Sequence, residues 1–468
     1  MMSKSNKDTS FFAAFSTKYA KWMPDAFLFA ILLTFLTIIL AYAFTDSSTK
    51  TIFGGWLKGF GWLMEFGFQV AWMMILAMTL VHAPVVHRCV VALARQIKSP
   101  AVGYAAIFFV GGIACWINVY GGVVVAAVFA RTVAENVEGM HFPMVAGVTY
   151  STFIMWGNGL SSSVGLVINT PGNKFEQLMG GLVPTNLTLF TPMNLTVTIS
   201  MLVVLTISFY LMAPGKGSKV SGIQDFLPEG AVLGTGSVGV KETSAGTDAE
   251  QKGGEFSLAT YLEESPIGGR VFGIIATVYI FYEFANLGFA KALNLNNIGF
   301  VVFALGMLAY RSPMLYMRSF SKFAGGCAGV LVQFPMFGGI MGIMILSGLA
   351  AVITNWFVSF STATTFPLYS FLSAGLVNIF IPSGGAQWAC QAPICIPAAK
   401  ALGADVPKIA MTIAYGDAWT NMIQPFWMLM YAPVLIGGTT LRVRDLMGYC
   451  FFTLVISGII FGGCLMLF

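Results

Sequence analysis

The chain has 468 residues, 57% hydrophobic and 9% charged, with a mean hydropathy of +0.80. Soluble domains carry about 25% charged residues, so the composition excludes a soluble enzyme and reads as an all-α polytopic membrane protein. The net charge of +5 comes from dispersed basic residues and calls for no nucleic-acid partner, and the seven cysteines lack CxxC spacing, so no disulfide or metal-thiolate site is expected.

Lys4, Lys7, Lys18 and Lys21 precede the first apolar run, 24–44, which has spanning length and lacks the cleavage site of a signal peptide. A cytoplasmic N-terminus follows. A second span, 66–86, ends at Arg88, Arg95 and Lys98. The next apolar stretch breaks at Asn118-Val-Tyr-Gly-Gly122 and closes with Arg131, which reads as a hairpin entering and leaving on the cytoplasmic side. A segment starting at Phe142 and Pro143 is interrupted across 156–163, and a span at 193–212 returns to the cytoplasm. Residues 214–266 are rich in Gly, Ser and charge without hydrophobic periodicity, so they read as a cytoplasmic linker. A single span at 267–290 reverses the parity. There follow a span to Tyr310, a span at 325–353, a second hairpin at 366–400, a broken segment at 406–435 and a last span at 447–468. Lys50, Lys58, Lys174, Lys291, Lys400 and Lys408 are the only basic residues this topology leaves outside, in keeping with the positive-inside rule.

The two halves echo each other. Gln69 and Gln333, Gly121-Gly122 and Gly384-Gly385, Pro143 and Pro407, and Tyr150 and Tyr415 recur at offsets of 263 to 265 residues. Residues 1–213 and 291–468 therefore read as two inverted repeats, each with a re-entrant hairpin and a broken transmembrane helix. Secondary transporters are built this way, with the solute near the midplane where the repeats meet.

Backbone can break inside a membrane only within protein or beside a wet cavity. Broken helix N-termini present N–H groups and a positive dipole end that suit a carboxylate, while unwound carbonyls and polar side chains suit Na⁺. The substrate-binding candidates are Asn118, Gly121 and Gly122 at the first tip and Ser161, Ser162 and Ser163 at the first break. Ser383, Gly384, Gly385 and Gln387 at the second tip and Asn421 at the second break complete them. The cation candidates are Asn118, Asn158, Asn378, Asp417, Thr420 and Gln424. Asp417 is the one carboxylate deep in a repeated segment, able to hold a cation or carry a proton. Set against these readings, Ser or Thr in a membrane helix often only bonds a neighbouring helix, and Asp417 could cap a backbone N–H. The three histidines are scattered and no P-loop is present, which argues against an ATP-driven pump; no cofactor is expected beyond Na⁺ as a coupling ion.

These residues resemble the short-chain fatty acid transporter family, the acetoacetate and butyrate uptake type of bacteria. The likeness runs through Trp22-Met-Pro-Asp-Ala-Phe, Ala114-Cys-Trp-Ile-Asn118, Thr170-Pro-Gly-Asn173, Leu331-Val-Gln-Phe-Pro335, Ile381-Pro-Ser-Gly-Gly385 and Ala414-Tyr-Gly-Asp417. It extends through 418–427 and Arg444-Asp-Leu-Met-Gly-Tyr449, and omits only the linker. The chain departs from the family's usual residues at Ala386, Ala392, Asn158, Ser162 and 118–122, all at the expected pocket. The resemblance implies membership of the ion transporter superfamily, an elevator-type homodimer and a multi-pass place in the bacterial inner membrane. It implies uptake of a small monocarboxylate by Na⁺ or H⁺ symport. No Arg or Lys falls at either tip, and one negative charge is easier to balance there than two, which disfavours dicarboxylates. The alternatives are transport of another small carboxylate or a peptide-like solute and, remotely, a membrane hydrolase using Ser383 or Asp417, for which no activating His or Lys lies near Ser383 in sequence.

Overall fold

The computed structural model describes residues 11–21, 26–169, 173, 175–215, 218, 220–228, 258–288 and 295–468. Part of the Trp22-Met-Pro-Asp and Thr170-Pro-Gly runs, residues 229–257 of the linker, Lys174 and Lys291 lie outside that set. Helices α1 (Phe11–Ala20), α2 (Ala26–Phe44), α3 (Thr49–Val81) and α4 (Pro84–Ala94) lead into α5 (Pro100–Ile117) and α6 (Val119–Asn136). After α7 (Phe142–Ser151) come α8 (Ser163–Val167), α9 (Glu176–Met179), α10 (Pro192–Leu211), α11 (Leu258–Glu264) and α12 (Pro266–Leu287). The second half holds α13 (Leu295–Ala309), α14 (Pro313–Ala324), α15 (Ala328–Leu346), α16 (Leu349–Val358), α17 (Phe366–Asn378) and α18 (Gly384–Leu402). It closes with α19 (Val406–Thr420), α20 (Met428–Leu435) and α21 (Val443–Leu467). Among the described residues no strand occurs, and six helices are long and apolar enough to cross a membrane, or seven counting the bent pair α15–α16.

Burial separates a periphery from an interior. On α2, α10 and α12 large apolar side chains such as Ile39, Ile199 and Phe281 are exposed, as lipid-facing surfaces require. Every residue of α7 is buried, and so is nearly all of α19 beyond its first turn. At about 1.5 Å per residue, these helices of 10 and 15 residues fall short of the roughly 30 Å hydrocarbon core. Each is followed by a 3-10 turn, a break and a short helix: 152–156, 157–162 and α8 in one half, 421–423, 424–427 and α20 in the other. The first interruption lies within residues 156–163 and the second within the 406–435 segment.

Elsewhere the structure differs from expectation. The second span starts far earlier than residue 66, because Thr49–Val81 is one 33-residue helix opened by a Ser48 cap on the Thr51 N–H. Gly55 and Gly59 of this helix serve packing: a Cβ on Gly59 would overlap the Gly338 carbonyl oxygen, and one on Gly342 the Gly55 carbonyl oxygen. Two helices thus cross backbone to backbone, the close approach that small residues permit in membranes. The 325–353 span bends by 60° between α15 and α16, where Gly348 has φ +78°. Arg88 and Arg318 lie on the amphipathic helices α4 and α14. The linker's opening is docked: Ser221 O accepts from the Phe142 N–H at 2.8 Å, and Phe226 O from the Thr440 N–H at 2.7 Å.

Candidate functional site

Asn118 ends α5 in an extended conformation and opens α6, its Oδ1 accepting from the Gly121 N–H at 2.9 Å. That cap occupies the Asn118 oxygen. Behind it, a Cβ on Gly122 would strike the backbone of Ala114 and Cys115, so the two arms meet as closely as glycine allows. The tip rests on the first break: the Val119 N–H donates to Ser161 Oγ at 2.9 Å and the Leu160 N–H to Trp116 O at 2.7 Å. Ser161 therefore serves the tip, whereas the buried Ser162 and Ser163 hydroxyls have no protein partner. Asn158 donates its amide to Thr198 Oγ1 at 2.7 Å, which leaves its buried Oδ1 bare.

At the second tip α17 ends at Asn378, and Ser383, with φ −147° and ψ 107°, opens α18 without capping it through its side chain. The first N–H groups of a 19-residue helix are therefore available at Gly384 and Gly385. Gly384 is where the halves meet. A Cβ built on it would overlap Ser163 Oγ, lie 3.0 Å from the Trp156 ring and 3.6 Å from Asp417 Oδ2. Gly385 faces open space.

Asp417 is completely buried, and neither carboxylate oxygen has a hydrogen-bond partner. Asn421 lies beside it without reaching hydrogen-bond geometry. Asn421 Nδ2 is buried without a partner, whereas the Asn378, Gln424 and Gln387 amide nitrogens are committed elsewhere. Asn378 Nδ2 donates to Asp417 O at 2.8 Å, Asn421 Oδ1 at 2.8 Å and Thr420 Oγ1 at 3.0 Å. Gln424 Nε2 donates to Asn421 Oδ1 at 2.9 Å and Asn378 O at 3.2 Å. Gln387 Nε2 donates to Ala374 O at 2.6 Å and Gln391 Oε1 at 2.9 Å. The oxygens Asn378 Oδ1, Gln424 Oε1 and Gln387 Oε1 are left buried and unpartnered. Thr420 is spent on structure, its hydroxyl donating to Gly375 O at 2.7 Å.

Of the residues expected from sequence, Ser163, Gly384 and Asp417 are brought together, with Asn378, Asn421 and Gln424 forming a network against the same break. Asn118, Gly121, Gly122, Ser161 and Asn158 form the first tip and break as a separate group. Sequence reading missed Trp156, whose ring edges Gly384, and Asn194, whose amide donates to Asn158 O at 3.0 Å. An indole just before a glycine-rich break was the available signal for the first; nothing in the run around Asn194 marks the second.

A buried carboxylate of this kind is stable only when a proton or cation neutralises it. Buried oxygens of this kind, without partners, have the chemistry a hard cation takes, and the open N-terminus of α18 has the chemistry an anion takes.

Comparison with known proteins gives one consistent family. The sequence profile described as "Short chain fatty acid transporter" matches residues 9–468. A protein of Escherichia coli (strain K12) whose name assigns it provisionally to short-chain fatty acid transport is 38% identical over 449 residues, covering 96% of this chain and 97% of its own. A Haemophilus influenzae protein of the same name is 36% identical, covering 95% and 96%. Among solved structures, the Alcanivorax borkumensis YdaH transporter covers 96% of this chain and 98% of its own at 13% identity and a TM-score of 0.40. Neisseria gonorrhoeae MtrF, described as one of a class of antimetabolite efflux pumps, covers 96% and 97% at 13% identity and a TM-score of 0.36. Both structural likenesses are too loose to carry an argument.

Proposed function

The chain belongs to the short-chain fatty acid transporter family, and on that premise we propose that it is a secondary active transporter taking up small monocarboxylates of the butyrate and acetoacetate type. Its family and relatives are named as transporters, not enzymes, and its apolar helices make it a multi-pass membrane protein. The finer reading is Na⁺ or H⁺ symport across the inner membrane, with a cytoplasmic N-terminus and an elevator-type motion in a homodimer. The pairs α5–α6 and α17–α18 are then re-entrant hairpins of two inverted repeats.

The observation that carries the coupling is Asp417, buried with both oxygens bare beside the N-terminal turn of α18. The solute's carboxylate takes the open N–H groups at Gly384 and Gly385 with the Ser162 and Ser163 hydroxyls, and Trp156 flanks its short acyl chain. Asp417 faces the same helix end, so two negative charges compete for one positive dipole. At about 4 Å and an effective dielectric near 20, that repulsion is roughly 4 kcal/mol. Neutralising Asp417 removes it, so the solute enters only after the cation or proton. For Na⁺, the ligands are Asp417, Asn378 and Gln424 oxygens, with Asn158 and Gln387 as further bare acceptors; Thr420 and Asn118 hold structure. Uptake of radiolabelled butyrate into proteoliposomes, with Na⁺ and pH gradients imposed in turn, tests the reading. Uptake indifferent to both gradients would refute the coupling, and absence of uptake would refute the substrate class.

A further inference from the structure

Tyr150 and Tyr415 occupy matching places in the two halves, 265 residues apart and completely buried, and the site described above uses neither. Tyr150, in α7, donates its hydroxyl to Asn421 O at 2.7 Å, with Gln424 O at 3.1 Å sharing the contact. Asn421 opens the 3-10 turn of the opposite half and Gln424 opens its break. Tyr415, in α19, donates to Asn194 Oδ1 at 2.7 Å. Asn194 in turn donates its amide to Asn158 O at 3.0 Å and to Leu189 O at 2.7 Å, so Tyr415 is one side chain removed from the first break. The relation is reciprocal.

Unwinding a helix strips its carbonyls of their usual donors, and buried carbonyls need replacements. A donor from the same segment would move with the break. A donor from the other half ties the shape of one break to the position of the other. The rings are well held for this: Tyr150 meets Tyr431 edge-on at 5.6 Å between centroids, and Tyr415 stacks on Phe461 at 4.8 Å. The backbone that Tyr150 grips also carries the Asn421 and Gln424 side chains, which bind each other and Asn378.

We infer that Tyr150 and Tyr415 are reciprocal positioning residues, Tyr150 holding the backbone at the second break directly through its hydroxyl and Tyr415 holding that of the first break through Asn194. The consequence for transport rests on the proposed cation coupling; the brace itself does not. Tyr→Phe keeps the ring and removes only the donor, so it is the variant of choice. In full-length protein in proteoliposomes, Tyr150→Phe speeds amide hydrogen exchange at residues 421–427 about tenfold and leaves 144–156 near the wild-type rate. Tyr415→Phe speeds exchange at 157–162 by a smaller factor, about threefold, because Asn194 keeps its own bonds to Asn158 and Leu189. Faster exchange confined to the neighbourhood of each substitution, or no change, overturns the inference. In uptake assays Tyr150→Phe raises the half-saturating cation concentration about tenfold while KM for butyrate at saturating cation stays within about twofold. Equal changes in both mean a general packing role and overturn the positioning role. If wild-type uptake answers to neither Na⁺ nor pH, the coupling reading fails, and the exchange pattern alone decides the brace.

Discussion

Asp417→Asn is the most informative single change, because physics assigns its effects on stability and on transport opposite signs. The substitution is close to isosteric and removes one charge from a site with no exposure and no hydrogen-bonded partner for either oxygen. For the folded protein this relieves desolvation, so stability is unchanged or rises by about 1–2 kcal/mol. For a bound cation it removes the one formal counter-charge, worth about 4 kcal/mol at 4 Å with an effective dielectric near 20. That corresponds to roughly a thousandfold higher half-saturating cation concentration. Thermal melting of the purified variant and gradient-driven butyrate uptake in proteoliposomes measure the two effects on one preparation. The expected result is a melting temperature at or above wild type with coupled uptake abolished. Full cation-dependent uptake, or a lost fold accompanying lost uptake, would refute the reasoning.

Gly384→Ala places a methyl against Ser163 Oγ and the Trp156 ring. It is expected to raise KM for butyrate at least tenfold with under about 1.5 kcal/mol lost in stability, and to do less harm in a Ser163→Ala background, which a double-mutant cycle of KM values reads directly. Arg131 is nearly buried and donates from Nη1 to Gly437 O at 2.7 Å and from Nε to Glu135 Oε1 at 3.1 Å, tying α6 to the end of α20. Arg131→Ala is expected to cost about 3 kcal/mol by leaving Glu135 uncompensated, and Arg131→Ala with Glu135→Ala to recover part of that in thermal melts. Burial pushes the His141 imidazole down to about 4, its Nδ1 accepting from the Ser221 N–H at 3.2 Å. An undocked His141 takes a proton below its ordinary value near 6.5 while the docked one stays neutral, so docking of residues 220–226 weakens as pH falls from about 6.5 to 4, by up to about 3 kcal/mol. Limited proteolysis of that segment across the range reports it, and His141→Asn flattens the dependence.

The tips and breaks are legible in the sequence because Gly, Pro and bare polar residues within apolar runs have few other physical explanations. Asp417, Asn378 and Ser163 are singled out as candidates on that ground alone. What the sequence hides is non-local. Gly55 and Gly59, flanked by Lys50 and Lys58, read as a loop until Gly338 and Gly342 are known to lie against them. Asn118 and Asn378 look like equivalents, yet the first spends its oxygen on the Gly121 N–H and the second spends its nitrogen and keeps its oxygen bare. Amide orientation follows from partners that only the fold supplies. Trp156 and Asn194 matter through contacts with Gly384 and Asn158, and no local pattern announces a partner in a distant segment.

The lopsidedness of the site follows from the same contacts. Bare buried oxygens occur on Asp417, Asn378, Gln424 and Gln387 in the second half, while the first half brings one bare amide oxygen on Asn158, two unpartnered hydroxyls, Ser162 and Ser163, and the Trp156 ring. On the proposed reading, the halves share an ancestral shape but divide the work, the second holding the cation and the first shaping the solute's pocket. The division suits coupling. Donating Asn378 Nδ2 and Gln424 Nε2 into the protein leaves Asn378 Oδ1 and Gln424 Oε1 as buried acceptors without a partner. A Cβ on Gly384 would overlap the Ser163 hydroxyl of one half and lie 3.6 Å from Asp417 Oδ2 of the other, so the backbone that passes between them must be free of a side chain.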